Sequence, residues 1–462
     1  MRPLCLAANG AWIASSLPAA LAFRTNLDRA AEVQEAILLR ILRKNGLGSI
    51  RSIREYQQRV PVRTYDEYGE VKASGITHYE RTSGSSGAAK RIPYNRELRA
   101  EMGRAIAPWI VELFATHPAA FVGEAYWSIS PVLSSEAPSI SDEDHLGPIR
   151  ARLVRAVQAV PPDVRFIQDL ESFRRATLDH LMRCRTLSLI SVWHPSFLLL
   201  LLGDLREQAA ELWPNLRVIS CWSDANAARD AAELARIFPR VYVQPKGLLS
   251  TEGFISIPIA DAGAPALAYR SHFYELRCIE TDRVVLATEG EVGKRYRVIL
   301  TTGAGLYRYD TEDVIEIVGY RGTCPLLRFI GRAEHISDHY GEKLNELFVR
   351  ERLERVLRDH DVVATFAMLA CEENSYTLFI ESAAGDASLL AAAHSLDETL
   401  RENIHYDYCR RLGQLDALRV FRIARNASTT YLAHAGQRLG DVKLTTLDPR
   451  GGWGGRFEGV WV

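Results

Sequence analysis

Residues 187–246 read LSLISVWHPSFLLLLLGDLREQAAELWPNLRVISCWSDANAARDAAELARIFPRVYVQPK, and this stretch decides the fold. Its apolar runs Leu187–Trp193, Leu216–Trp222 and Arg240–Lys246 predict β-strands. Two helices are predicted between the strands, over Pro195–Trp213 and Asn226–Phe238, and the first of them opens on a proline. This βαβαβ order predicts an α/β fold whose parallel sheet is covered by helices on both faces.

Polar and aromatic residues follow each of these predicted strands. They read WHPS (Trp193–Ser196), CWSDA (Cys221–Ala225) and KGLLSTEG (Lys246–Gly253). Ligands of open α/β sheets bind outside the carboxyl ends of the strands, so we expect the three segments to line one cleft. An aromatic wall suits an aromatic or otherwise apolar ligand, and aromatic core packing is the competing interpretation. The candidate substrate-binding residues are Trp193, His194, Phe197, Trp222 and Ser223.

For two residues of these segments, the sequence favours a structural role over a functional one. His194 either orients a carboxylate or satisfies a backbone group, and we expect the second role. Cys221 has no paired histidine in the sequence, so we expect its side chain to pack rather than to act as a nucleophile.

The segments on either side predict two domains. Apolar residues recur at helical spacing over 33–42 and predict an amphipathic helix. After about Arg332 the pattern changes to helix, two strands, helix and strand, which is typical of a compact α+β unit. We therefore predict a large N-terminal domain over residues 1–331, with parallel sheets covered by helices, and a small mobile α+β C-terminal domain over residues 332–462.

Composition excludes several classes of protein. The 462 residues include 56 basic and 57 acidic side chains, a net charge of -1, so no overall field attracts nucleic acid or anionic lipid. Seven dispersed cysteines form no CxxC pair, which favours neither a disulfide framework nor a zinc site and predicts a cytoplasmic location. The apolar start, residues 1–23, resembles a secretory signal, but Asn9, Gly10 and Pro18 interrupt it and favour a short docking helix. No transmembrane segment or membrane partner is expected.

The segment TSGSSGAAK, Thr82–Lys90, has the composition of a phosphate-binding loop. Small residues let backbone N–H groups point inward, hydroxyls donate further bonds, and a lysine offsets negative charge. It is not a Walker A loop, because its glycines are too close together and Arg91 stands where a Ser or Thr would hold magnesium. A serine-rich surface turn is the alternative. The flanking segments ITHYER and RIPYN predict strands on both sides.

Two further segments suggest nucleotide chemistry. In STEG, Ser250–Gly253, a hydroxyl precedes a carboxylate, and this pair can bind a phosphate together with its Mg²⁺ ion. In TTGAGLYRYDTEDVIEI, Thr301–Ile317, a strand is predicted to lead through an acidic loop into another strand. A carboxylate there can accept bonds from ribose hydroxyls, and a solvated hairpin is the alternative.

In this order, the three segments and RFIGRAEH (Arg328–His335) resemble the adenylate-forming enzyme superfamily. The closer resemblance is to the auxin-responsive family of acyl acid amido synthetases and its bacterial relatives. TSGSSGAAKRIP, LLSTEG and AGLYRYDTEDV resemble the three family motifs, and YWSISP, SVWHPSFLL and LGQLDALRVFRI extend the likeness over nearly the whole chain. The resemblance implies that ATP and a carboxylic acid give an acyl adenylate, from which an amine, commonly an amino acid, displaces AMP to form an amide.

The resemblance also implies site residues. Those for the nucleotide are Ser83, Gly84, Ser85, Ser86, Gly87, Lys90, Leu248, Thr251, Glu252, Asp313 and Arg332. The loop serines and Lys90 would hold the triphosphate and Thr251 the α-phosphate, while Glu252 would hold Mg²⁺ and Asp313 the ribose. Leu248 or its neighbour stands where an aromatic often stacks on adenine, and Arg332 would lie at the domain hinge. Lys443, in GQRLGDVKLTTL, would reach the reacting groups, so the catalytic residues are Lys443, Lys90 and Glu252.

One departure from the family pattern leaves questions open. The plant enzymes usually have Tyr-Arg-x-Gly-Asp where this chain has YDTED, Tyr309–Asp313, so Asp310 and Glu312 are extra acids. We expect them to point to solvent; the alternative is that they alter the amine site. Two other functions remain as hypotheses, acyl transfer to a thiol such as coenzyme A and a catalytically weakened nucleotide-binding protein.

Overall fold

The computed structural model describes residues 3–65, 67–68, 71, 75–81, 90–128, 148–167, 169–332, 336–337, 339–340, 342–435 and 444–462. The chain forms two compact units that divide between Ile330 and Gly331. The α/β fold class predicted from the sequence is confirmed.

The first unit has helices α1 (Pro3–Thr25), α2 (Ala30–Lys44), α3 (Ile53–Arg59), α4 (Arg96–Thr116), α5 (Pro148–Val157), α6 (Leu170–Arg183), α7 (Pro195–Leu202), α8 (Ala209–Leu212) and α9 (Ala228–Ile237). Its strands are β1 (Ile76–Arg81), β2 (Arg91–Asn95), β3 (Glu124–Trp127), β4 (Leu187–Ser191), β5 (Val218–Cys221), β6 (Tyr242–Pro245), β7 (Leu249–Ser250), β8 (Gly253–Phe254), β9 (Ser256–Ile257), β10 (Ala266–Leu267), β11 (Phe273–Cys278), β12 (Val284–Leu286), β13 (Arg295–Thr301), β14 (Tyr309–Arg321) and β15 (Cys324–Arg332), whose last two residues belong to the second unit.

The predicted βαβαβ run forms a parallel sheet in the order β3-β4-β5-β6. The single helix predicted over Pro195–Trp213 is two helices, because Gly203 adopts a φ of 51° and ends α7. Leu198 of α7 and Leu234 of α9 belong to the same buried cluster as Ile219 of β5, so both helices pack on this sheet. The carboxyl ends of β4, β5 and β6 lie side by side and place the predicted cleft residues at one edge.

A seven-stranded sheet, in the order β12-β11-β13-β14-β15-β10-β9, is the larger sheet of the first unit. The pairs β10–β15, β9–β10, β11–β12, β11–β13 and β13–β14 are antiparallel. It was not anticipated from the sequence, since its strands are joined by short turns and lack the alternating helices that identify a parallel sheet. It packs through Leu276, Leu300 and Ile315 into a core shared with α1 and α4.

Helix α1 lies against the fold along one side. The Asn9 amide donates to the Phe121 carbonyl at 2.7 Å, and Arg24 pairs with the buried Glu112 of α4. The helix also has the length and apolar composition of a membrane span, with 39% of its most apolar window buried, properties that core helices of soluble proteins and signal sequences share. The sequence prediction of a docking helix agrees with these contacts, although the helix is longer than expected.

The second unit has strands β16 (Ile336–Ser337), β17 (Leu344–Asn345), β18 (Ala364–Glu372), β19 (Ser375–Ser382), β20 (Asp416–Ile423), β21 (Leu447–Asp448) and β22 (Gly459–Trp461) and helices α10 (Glu346–Asp359), α11 (Asp386–Leu400), α12 (Ile404–Arg411) and α13 (Ala427–Ala435). Five of its strands form a mixed sheet in the order β21-β18-β19-β20-β22. The helix–strand–strand–helix–strand order predicted for this region is confirmed, and α12 and α13 are additional.

Candidate active site

Thr251 and Glu252 form the turn of a short hairpin at the end of the parallel sheet. Leu249 pairs with Phe254 and Ser250 with Gly253, which leaves Thr251 and Glu252 at the tip. The Tyr94 hydroxyl donates to the Thr251 carbonyl at 2.7 Å. The Tyr309 hydroxyl donates to Glu252 Oε1 at 3.0 Å, and Glu252 is buried. The turn is thus held from two sides, by β2 and by β14.

A buried network of hydrogen bonds packs against Gly253, the residue that follows this turn. His272 Nδ1 lies 2.9 Å from Glu101 Oε2, and both side chains are almost completely buried. Glu101 accepts from the Gly303 amide at 3.0 Å, and the Asn95 amide donates to the Gly303 carbonyl at 3.0 Å. Gly253 sits directly on the imidazole, since a Cβ there would lie 2.6 Å from His272 Nε2. Only glycine therefore fits after Glu252 without moving this network.

The acidic segment lies inside a strand, as a bulge of β14, and not in the loop between two strands that the sequence predicted. Asp310 pairs with Ile299 and Val314 with Arg297, so Thr311, Glu312 and Asp313 stand opposite Val298 alone. The Thr311 hydroxyl donates to the Val298 carbonyl at 3.0 Å and accepts from the Asp313 amide at 3.2 Å. Bulges of this kind re-aim side chains beside functional sites.

The two extra acids do not point to solvent, which corrects the expectation from the sequence. Asp310 is fully buried, with its Oδ2 2.6 Å from Arg297 Nη2 and 3.5 Å from Arg277 Nη1. Glu312 is 7% exposed, and its Oε2 lies 3.5 Å from Lys90 Nζ. Its φ of 63° is left-handed, which costs a residue with a Cβ about 1–2 kcal/mol. Arginines of β11 and β13 draw the Asp310 carboxylate inward, and Lys90, just before β2, draws that of Glu312.

The structure brings three of the sequence motifs together. Lys90, just before β2, reaches Glu312 of the bulge and lies 5.7 Å from the Tyr65 ring centre. Tyr309, at the start of the same strand, reaches Glu252. Asp313, which the Thr311 hydroxyl positions, is buried in the same bulge. Strands β1 and β2 pair up to Arg81 and Arg91, which confirms the strands predicted on both sides of the serine-rich loop.

Six of the predicted site residues are not described by the structure. Ser83, Gly84, Ser85, Ser86, Gly87 and Lys443 lie outside the described residues. Arg332 belongs to the second unit. Leu248 is buried at the base of the hairpin, where its amide donates to the Ser256 hydroxyl at 2.9 Å.

No group of three His, Cys, Asp or Glu suited to a metal occurs among the described residues, so Glu252 is a single carboxylate candidate. One carboxylate fits Mg²⁺, which is commonly held by one or two carboxylates with phosphate oxygens.

The predicted aromatic wall is present at the ends of β4 and β5. The Trp193 and Trp222 rings are half-buried, with centres 5.7 Å apart. Ser223 is half-buried beside them, whereas Phe197 is 1% exposed and lies in the core, on the buried side of α7. His194 caps α7, accepting from the Ser196 amide at 3.2 Å, so it satisfies a backbone group as expected. Its assignment to substrate binding stays a prediction. Burial raises the pKa of the Cys221 thiol to about 12, so this cysteine packs as predicted.

Lys246 is a site residue that sequence reasoning missed. Its Nζ lies 4.1 Å from the Trp193 ring centre and 5.6 Å from that of Trp109, and it donates to the Val192 carbonyl at 2.9 Å. The side chain is nearly buried, although lysine is rarely buried in proteins. The signal in the sequence was a lysine at the end of a predicted parallel strand.

Comparisons with known proteins agree with this site. The GH3 family N-terminal domain matches residues 22–217 and the GH3 family central domain residues 265–332, together more than half of the chain. The chain is 29% identical over 189 residues to a probable indole-3-acetic acid-amido synthetase of Oryza sativa subsp. japonica, covering 36% of this chain and 37% of that protein. It is 28% identical over 223 residues to the human GH3 domain-containing protein, covering 44% and 40%. The aligned segments thus span about two fifths of these relatives.

The fold also has a close counterpart among solved structures. The acyl acid amido synthetase AtGH3.15 in complex with 2,4-DB superimposes with a TM-score of 0.78 at 16% identity, covering 94% of each chain. The fold is therefore shared along almost the whole length. With two family domains matched and the motif residues gathered at one site, this chain belongs to the GH3 family.

Proposed function

We propose that this chain is an AMP-forming ligase that joins a carboxylic acid to an amine, commonly an amino acid. ATP and the acid react to an acyl adenylate and pyrophosphate, and the amine then displaces AMP to give an amide. The observation that carries this proposal is the convergence of Lys90, Glu252 and Asp313 on the strand end that holds Tyr309. The membership in a family with named amido synthetases supports the reaction class.

Each residue of the group has a distinct task in this reaction. A carboxylate is a poor electrophile, and adenylation supplies a leaving group whose developing charge cations stabilise. The Lys90 ammonium binds phosphate oxygens. The buried Glu252 carboxylate, oriented by Tyr309, would hold Mg²⁺, which would neutralise phosphate charge. Asp313 accepts from the ribose hydroxyls and fixes the nucleotide. The family resemblance assigns further roles in the same reaction to Lys443 and Arg332.

The aromatic wall suggests the kind of acid. Trp193 and Trp222 offer flat apolar surfaces at the ends of the parallel strands, so an aromatic or otherwise apolar acid is the substrate class that we propose. Lys246 adds a positive charge next to these rings, where it favours an anionic ligand. The substrates are therefore small molecules.

A trapping assay tests the reaction. Purified protein is supplied with MgATP, a mixture of carboxylic acids and hydroxylamine, and AMP and hydroxamate masses are measured together. We expect a hydroxamate and equimolar AMP. Asp313→Asn should lower the rate about 10- to 100-fold, the value of a hydrogen bond to a charged group. Glu316→Gln, on the same strand, is the matched control, because Glu316 lies 3.8 Å from Arg328 instead.

The acceptor is tested in the same assay. Amino acids and coenzyme A replace hydroxylamine in parallel reactions, and the product masses are compared. An amide with an amino acid supports the proposal. A thioester with coenzyme A would show that the acyl group is transferred to a thiol and not to an amine. Protein that binds ATP but releases no AMP with any acid would contradict the proposed activity and favour a nucleotide-binding role.

A further inference from the structure

The contact between Lys90 and Glu312 is an ion pair in a sheltered place. Lys90 Nζ and Glu312 Oε2 are 3.5 Å apart, and the two side chains are 12% and 9% exposed. Opposite charges attract more strongly in such a place than at an open surface, because less water screens them. The carboxylate therefore competes effectively with any other anion that approaches the lysine.

The backbone holds Glu312 in position for this contact. Its φ of 63° is a conformation that disfavours any residue with a Cβ, and it occurs in the middle of the bulge of β14. The Glu312 amide donates to Asp310 Oδ1 at 2.9 Å, and Asp310 is itself held by Arg297 and Arg277. A strained position held by its surroundings is typical of functional sites. The backbone of β14 thus fixes Glu312 in position to pair with Lys90.

We propose that Glu312 is an internal counter-ion of Lys90 that exchanges with the phosphates of the nucleotide. Without nucleotide, Glu312 neutralises Lys90. When ATP binds, its phosphates bind the Lys90 ammonium and the ion pair with Glu312 opens. When pyrophosphate leaves, the ion pair between Lys90 and Glu312 forms again. This inference rests on the proposed function, which assigns Lys90 to the phosphates.

The exchange has a direct consequence for affinity. Two anions compete for one cation, so Glu312 weakens the binding of every ligand whose phosphates need Lys90. The carboxylate lowers the affinity of pyrophosphate as well as that of ATP, which assists release of the first product. A ligand without phosphates gains nothing from Lys90 and is therefore insensitive to Glu312.

Isothermal titration calorimetry with MgATP, magnesium pyrophosphate and adenosine tests this role. Glu312→Gln keeps the size of the side chain and removes its charge, and Glu312→Gly, which tolerates a φ of 63°, is the second variant. We expect both to bind MgATP and pyrophosphate roughly tenfold more tightly than the natural chain and adenosine equally well. The control Glu316→Gln, whose carboxylate faces Arg328 on β15, should change none of the three.

A double-mutant cycle assigns the effect to the pair. In a Lys90→Met background, Glu312→Gln should no longer tighten MgATP binding, because the competition is gone. Unchanged or weaker MgATP binding in both Glu312 variants would overturn the counter-ion role, as would a gain that persists without Lys90. A natural chain that fails to bind ATP at all would instead refute the proposed function, so the two failures are distinguishable.

Discussion

Lys246 shows how much a single residue can add to a site. It follows β6 directly, and its ammonium lies between the rings of Trp109 and Trp193 while donating to the Val192 carbonyl. Indole faces attract a cation, which helps to offset the loss of water around the charge. The residue therefore holds a positive charge beside the half-buried Trp193 and Trp222, where an acid substrate would bind.

Replacing Lys246 by methionine should weaken acid binding selectively. The variant keeps the apolar stem and removes the charge, so we expect the KM for the acid to rise about tenfold, while the KM for ATP stays within about twofold. Lys246→Arg is the matched control, because it retains the charge and the contact with the indoles. Steady-state kinetics with each substrate varied in turn measure the split. Equal KM values for the acid, together with a lower melting temperature, would mean that Lys246 only supports the sheet.

At the scale of elements, β14 combines a structural carboxylate, Asp310, with the candidate site carboxylates Glu312 and Asp313 within four residues. Its bulge leaves Asp310 facing arginines of β11 and β13, turns Glu312 toward Lys90, and buries Asp313. Bulges disrupt the local pairing and bend the strand, so the ion pairs of Asp310 help to keep this one in shape. The position that is arginine in the plant motif is thus filled by a carboxylate that binds arginines from β11 and β13.

Asp310→Asn should destabilise the first unit by about 2 kcal/mol. Loss of one partner of a fully buried ion pair costs about 3–5 kcal/mol, and here the arginine side chains are about a quarter exposed, which lowers the cost. Urea denaturation at pH 7 measures the change.

The control for this variant is Asp282→Asn, which removes an 81% exposed carboxylate from the same Arg277. We expect the control to stay within about 0.5 kcal/mol of the natural chain. Equal stability of Asp310→Asn and the natural chain would show that Asp310 does not hold the bulge.

At the scale of the whole molecule, each unit has its own core and its own buried polar centre. In the second unit this centre is Glu342, which accepts from the amides of His339 at 2.9 Å and Tyr340 at 2.7 Å. Tyr376 of β19 also donates to it. Burial acts to raise the pKa of Glu342, but the backbone amides and the tyrosine hydroxyl outweigh it and hold this pKa below its usual value.

Glu342→Gln should therefore loosen the second unit in a pH-dependent way. A lowered pKa in the folded state means that the carboxylate stabilises the fold above the unfolded pKa and that this contribution is lost as the pH falls through the folded value. We expect the variant to lose about 1–3 kcal/mol at pH 7 and to approach the natural chain under acid conditions. Hydrogen exchange of β18 and β19 peptides at both pH values measures this.

Glu373→Gln is the matched control for the second unit, because its side chain is 83% exposed and 3.8 Å from Arg419. It should leave exchange unchanged at either pH. A loss in Glu342→Gln that is the same at neutral and acid pH would show that the carboxylate charge plays no part.

The sequence by itself determined the elements that depend on local pattern. Alternating apolar strands and helices over residues 187–246 predicted the parallel sheet. The resemblance of three motifs to a known family named Lys90, Glu252 and Asp313 as candidates for one site. The strands on either side of the serine-rich loop and most elements of the second unit were also predictable. These features follow from residues that are close together in the chain, so neighbouring side chains are enough to reveal them.

Only the tertiary structure decided where the charged residues of the site point. Asp310 and Glu312 turn inward because arginines of β11 and β13 and the lysine before β2 lie across from them. Lys246 is enclosed by indoles from α4 and from the end of β4. The register of an antiparallel sheet, the position of a bulge and the burial of a charge all depend on partners distant in the chain, which no local spacing can show.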